Sequence, residues 1–127
     1  MVPPMTGTWA FDRAACKATA SSSGPVLELS ASRSGAVIAL RYRAGPAPRG
    51  AAPLRLSGPA GSWSLPGRAV KGAVRIARPL DEDAASRILV LLGGGTVNAG
   101  TGPALVVPPA GDAGRAWFEC VRGHLQS

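Results

Sequence analysis

Apolar residues recur at every second position over much of this chain, and the segments that carry the alternation predict strands. Trp9 and Phe11 share one face of a short strand over 6–11. Leu27, Leu29 and Ala31 alternate with Glu28 and Ser30. Beyond a Ser32-Arg33-Ser34-Gly35 turn, Ile38, Leu40 and Tyr42 alternate with Ala39, Arg41 and Arg43, so the pair reads as a hairpin. Leu54 and Leu56 flank Arg55, Trp63 and Leu65 repeat the spacing, and Val74 and Ile76 alternate with Arg75 and Ala77. Leu105 to Val107 predicts one more strand, stopped by Pro108-Pro109.

Between these segments, turn residues mark connections. Ala18 to Gly24 is small and polar, with Ser21-Ser22-Ser23-Gly24 reading as a loop, Pro66-Gly67 reads as a turn, and the stretch over 44–53, with three prolines and two glycines, as a long surface connection.

Two segments change period. Ala85, Ile88, Leu89 and Leu92 follow helical spacing behind Asp81, Glu82 and Asp83, whose carboxylates complement a helix N-terminus, and Gly93-Gly94-Gly95 ends the helix. Asp112 reads as the N-cap of a final helix in which Ala113, Trp117, Cys120 and Val121 share a face and Gly123 is the stop. The expected fold is a single mostly β (α+β) domain over 1–127. Its strands form a small antiparallel β-sandwich or a partly open barrel, with short helices near 81–92 and 112–122. Trp9, Trp63 and Trp117 are expected to meet in one aromatic cluster.

Composition narrows the function classes without choosing one. No run approaches the roughly 20 apolar residues of a membrane span. The start, Met1 to Met5, lacks the basic and apolar stretches of a secretory signal, so the protein is expected either to stay inside the cell or to have lost its signal. The net charge of +7 permits attraction to nucleic acid, anionic lipid or an acidic protein. Twelve of the fourteen basic residues are arginines dispersed from Arg13 to Arg122, a bias that a GC-rich coding sequence also produces. The ordered subset is Arg41, Arg43, Arg55 and Arg75, which fall on the solvated side of the predicted strands.

Cys16 and Cys120 are the two cysteines. They form no C-x-x-C pair, and with His124 alone they do not complete a four-ligand zinc set, so neither metal nor cofactor is expected. They read either as a disulfide closing a loop of about 100 residues, which would stabilise by roughly 4 to 5 kcal/mol and suits a periplasmic or secreted protein, or as buried free thiols. Cys120 and His124 stand four apart, but Gly123 is expected to end the helix first and leave His124 in a solvated tail. The Gly93-Gly94-Gly95 run follows a helix and lacks a Walker lysine, so it reads as a terminator. Arg41-Tyr42-Arg43 alone interleaves an aromatic with arginines, which makes nucleic acid an unfavoured partner.

The helix over 85–92 closed by Gly93-Gly94-Gly95, followed by a short strand pair and then by Gly111-Asp-Ala-Gly-Arg-Ala-Trp-Phe-Glu-Cys120, resembles the small periplasmic proteins related to invasion-associated locus B of alphaproteobacteria. Trp9 followed by Cys16 is similar to that family's opening, although nothing here matches its additional middle cysteines. The resemblance implies a periplasmic or outer-surface β-sandwich-like domain that acts through binding and has no catalytic site. Gly7-Thr8-Trp9 is also similar to the G-x-W opening of lipocalin-type barrels and small bacterial protease inhibitors.

The expectation is therefore a non-enzymatic periplasmic binding module whose basic strand face meets an anionic protein, lipid or polysaccharide surface. The alternative is a small β-barrel protease inhibitor or small-ligand carrier.

Overall fold

The computed structural model describes residues 5–22, 24–32, 35–42, 51–58, 61–70, 72–99 and 104–125. Ten strands form one sheet: β1 (Met5–Thr6), β2 (Thr8–Asp12), β3 (Lys17–Ser21), β4 (Pro25–Ser32), β5 (Gly35–Tyr42), β6 (Ala51–Gly58), β7 (Gly61–Val70), β8 (Ala73–Arg78), β9 (Gly95–Ala99) and β10 (Leu105–Val107). Among the described residues two helices, α1 (Glu82–Leu92) and α2 (Gly111–Leu125), accompany the sheet. The spatial order is β1-β10-β9-β6-β7-β8-β5-β4-β3-β2. Its two outermost members are consecutive in the chain, so the sheet curls into a nearly closed barrel rather than a sandwich.

Gly7 is the joint. On one side Met5 and Thr6 pair in parallel with Leu105 and Val106, and on the other Thr8 to Asp12 pair antiparallel with Lys17 to Ser21. The Gly7 amide donates to the Val106 carbonyl at 2.8 Å. A Cβ at this position would lie 3.3 Å from both the Ala20 Cβ and Leu105 Cδ1, so glycine lets β3 and β10 approach one another across the seam. Trp9 locks the closure by donating from Nε1 to the Pro108 carbonyl at 2.6 Å.

The hairpin over 25–42 forms as its alternation predicts, with Leu27 opposite Leu40 and Leu29 opposite Ile38, all four buried. Lys17 to Ser21 forms a strand that the alternation did not mark, and it takes Ser21 from the start of the loop expected over Ser21 to Gly24. Ala18 and Ala20 are fully buried, and an alanine satisfies the inward position where the N-terminal strand and β4 crowd the barrel wall.

Ala51 to Pro53 and Pro66-Gly67 are likewise strand rather than connection and turn. Pro53 stands opposite Pro66. β6 pairs with β9 only from Leu54 to Ser57, and β7 pairs with β8 only from Arg68 to Val70, so each proline sits where its strand has a single neighbour and no second ladder needs its missing N–H. Gly67 fits there because a Cβ would come within 2.6 Å of Val74 Cγ1 and 2.7 Å of the Ala52 carbonyl oxygen. The segment over 44–50 lies outside the described residues.

Asp81 caps α1 by accepting from the Ala84 amide at 2.8 Å. The helix buries Ala84, Ala85, Ile88, Leu91 and Leu92 against β6 and α2. Leu89, expected on that face, is 48% exposed because the buried stripe is centred on Ile88 and runs toward Leu91. α2 begins at Gly111, so Asp112 lies in its first turn rather than at the cap, and its inward face is Gly114, Trp117 and Val121, with Ala113 exposed. Trp117 is fully buried and meets Phe11 at a centroid distance of 6.2 Å, while Phe11 stacks on Trp9 at 5.7 Å. Trp63 is not part of that cluster and lies instead under the Arg87 guanidinium, 5.7 Å away.

Cys16 and Cys120 form a disulfide with Cα atoms 5.8 Å apart across 104 residues of sequence. Asp12 shapes the turn that presents Cys16, accepting from the Ala14 and Ala15 amides at 3.0 and 3.2 Å, and Cys16 adopts a left-handed φ of 46°. Replacing both cysteines by serine is expected to lower unfolding free energy by up to about 4 to 5 kcal/mol, read from urea denaturation of the oxidised parent and the variant.

Asp83 anchors α1 to β8 and to its own next turn, at 3.1 Å from both Arg78 and Arg87. The hydrogen bond from Arg87 is the main cause holding its carboxyl below 3.8, with the charges of Arg87 and Arg78 adding to it. A depressed folded pKa contributes stability that is present above the ordinary carboxylate value and is lost as pH falls through the lowered one. Thermal midpoints measured across acidic pH should therefore fall less steeply in Asp83→Asn than in the parent.

Candidate functional site

Residues directly opposite one another across a ladder project to the same side of the sheet. Leu54 faces Leu65 and Ala99, and Val74 faces Leu40 and Ala69, which places these side chains inside the barrel. The intervening positions face outward. Arg55 stands opposite Ser64 and Asn98, Arg68 opposite Arg75, Arg75 opposite Ala39, and Arg41 two residues beyond Ala39 on the same strand. β6, β7, β8 and β5 are successive neighbours, so four adjacent strands each place one exposed arginine on the outer wall.

Three of the four arginines singled out in the sequence, Arg41, Arg55 and Arg75, thus share one face. Arg43 lies outside the described residues. Arg68 was missed because Pro66-Gly67 read as a turn and took it off the strand. The signal was present in the alternation, which runs on unbroken through Trp63, Leu65 and Gly67 on the inside and Ser64, Pro66 and Arg68 on the outside.

The arginines fall into two groups by their partners. Arg78 and Arg87 are held by Asp83, and Arg122 pairs with Glu119 at 3.4 Å. On the outer wall, Arg41 reaches Glu28 at 3.5 Å, with half of its side chain still exposed. Among the described residues, Arg55, Arg68 and Arg75 make no ion pair. Of these three, Arg75 lines a groove of about 770 Å³ at the end of β4, β5 and β8, together with Ser30, Val37, Ala77, Arg78 and Leu80 among others. Such a wall can attract anions and hydrogen-bond carboxylate or phosphate oxygens through guanidinium forks.

No protein-family model, no curated protein and no solved structure matches this chain.

The disulfide region differs from its sequence reading in one respect. Gly123 does not end α2, which continues to Leu125 because the buried Trp117 and Val121 hold the helix against the core at a cost of about 1 kcal/mol for an internal glycine. His124 is therefore a half-buried helical residue one turn beyond Cys120, not a tail residue, and its ring and the two sulfurs offer ligand atoms all within 4.8 Å of one another. No helix among the described residues is long and apolar enough to cross a membrane.

Like charges opposed across a ladder destabilise it by a few tenths of a kcal/mol up to about 1 kcal/mol. Arg68→Gln is accordingly expected to leave stability unchanged or raise it by that amount at low salt, with the gain shrinking in high salt. Urea midpoints at the two ionic strengths check this.

Proposed function

We propose that this protein is a non-enzymatic binding module of the periplasm or of a secreted setting. Its outer barrel wall captures an anionic protein, lipid or polysaccharide surface through Arg41, Arg55, Arg68 and Arg75. The observation that carries the reading is the register opposition of Arg68 and Arg75 with no carboxylate paired to either among the described residues. Two cations set side by side cost stability and are explained by a ligand that bridges them. The disulfide supports an oxidising compartment, and the resemblance of the C-terminal half to invasion-associated locus B-like proteins agrees with it.

A surface role is favoured over a small-ligand carrier because the inward positions are filled. Leu27, Leu29, Ile38, Leu40, Leu54 and Leu56 are each at most 1% exposed and pack in one continuous core, where a carrier needs an interior void. In the G-x-W segment, Gly7 and Trp9 serve barrel closure, which accounts for both residues without an inhibitory role.

The triple variant Arg55→Ser, Arg68→Ser, Arg75→Ser should bind phosphatidylglycerol vesicles and a sulfated polysaccharide matrix at least about tenfold more weakly than the parent at low salt, with a flatter salt dependence. Co-sedimentation and salt elution read the two arms. Equal retention of parent and variant on both supports would sink the proposed face.

A further inference from the structure

The turn after β2 and the last turns of α2 bring together the two sulfurs and the only histidine of the chain. Cys16, itself buried, presents its sulfur from the end of an exposed turn, while Cys120 and His124 project from one helix face at a spacing of four and are half-buried. Spacing of this kind is how helices commonly offer a pair of metal ligands.

We propose that reduction of the Cys16–Cys120 disulfide converts this cluster into a zinc site, in which the Cys16 and Cys120 thiolates and the His124 imidazole bind Zn²⁺ and solvent completes the tetrahedron. A dithiol reductant supplies two electrons and two protons, which cleave the S–S bond to two thiols while the reductant closes to its own disulfide. Zn²⁺ then displaces the two thiol protons, two Zn–S bonds form, and a neutral imidazole nitrogen donates the third ligand pair.

The geometry needs little rearrangement. Bonds of about 2.3 Å to sulfur and about 2.0 to 2.1 Å to nitrogen place tetrahedral ligands roughly 3.8 Å apart for two sulfurs and roughly 3.6 Å apart for sulfur and nitrogen. The sulfurs must separate from bonding distance, and the Cα separation of 5.8 Å leaves room for that by side-chain rotation. The three ligand atoms already lie within 4.8 Å of one another, so the imidazole need approach only slightly. Partial exposure of Cys120 and His124 gives the ion a way in, while the buried Cys16 fixes the back of the site. The disulfide and the metal use the same two sulfurs, so the two states exclude each other. An oxidising compartment keeps the staple and a reducing one exchanges it for zinc.

The test is anaerobic. The full chain is reduced with a dithiol, freed of reductant by gel filtration and titrated with Co²⁺ as a spectroscopic probe, then with Zn²⁺ in competition. The expected result is one Co²⁺ per chain with thiolate-to-cobalt charge-transfer absorption, displaced by one Zn²⁺, and no such absorption in the oxidised protein. His124→Ala should weaken Zn²⁺ binding by at least about 10-fold. Near-ultraviolet circular dichroism in the tryptophan bands, to which Trp9, Trp63 and Trp117 all contribute, follows the fold in parallel. If reduction loosens the core, the metal is expected to restore the signal. Absence of cobalt–thiolate absorption, unchanged affinity in His124→Ala, or a reduced chain that binds metal without a native-like tryptophan signal would each overturn the proposal.

Discussion

Closure of the barrel hangs on one short N-terminal strand that serves two neighbours at once. Its first two residues extend β10 in parallel and its next five extend β3 antiparallel, so the eight intervening strands have no exposed terminal ladder where they meet. The change of partner happens at Gly7, where any side chain would press on Ala20 and Leu105 together. Trp9 adds a directional bond to Pro108, and the ring of Phe11 carries the contact on to Trp117 in α2. The disulfide joins the turn between β2 and β3 to the same helix. A single aromatic and covalent seam therefore ties the first strand, the last strand and the last helix, and it holds together parts of the chain about as far apart in sequence as the chain allows.

Much of this was legible because burial on one face leaves a period of two. The hairpin over 25–42, the strands around Leu54, Trp63 and Val74, and the existence of both helices followed from that period or its change to helical spacing. What was not legible depended on neighbours. Lys17 to Ser21 has no large apolar residue, and only the crowding by strands on both sides makes Ala18 and Ala20 core positions. Pro66-Gly67 has the chemistry of a turn, yet it lies at a place where the strand lacks a second partner and Val74 leaves no room for a side chain. Gly123 has the chemistry of a stop, yet Trp117 and Val121 supply more burial than an internal glycine costs.

The same two local misreadings hid parts of the proposed binding wall and of the proposed metal cluster. A turn at Pro66-Gly67 removes Arg68 from the strands, and with it the opposed pair that distinguishes the outer wall from a scatter of solvated arginines. A helix stop at Gly123 removes His124 from the disulfide. Arg41, Arg55 and Arg75 were recoverable because each sits between two apolar residues of its own strand. That they share a wall depends on strand order, which the alternation does not contain.

The basic wall and the sulfur–imidazole cluster draw on opposite physics. A contact made by exposed guanidinium groups varies chiefly with ionic strength. The two sulfurs of the cluster are bonded to each other while oxidised, and they gain donor capacity only through electron transfer and loss of protons to a metal. The wall is carried by β5 to β8, whereas the cluster joins the β2–β3 turn to α2, and neither uses a residue of the other. Breaking the disulfide relaxes the seam at α2 but leaves every ladder of the arginine-bearing strands in place, since those strands are held by Leu40, Leu54, Leu65 and Val74 rather than by sulfur. On the two proposals together, salt and redox state would therefore act on two different surfaces of one barrel.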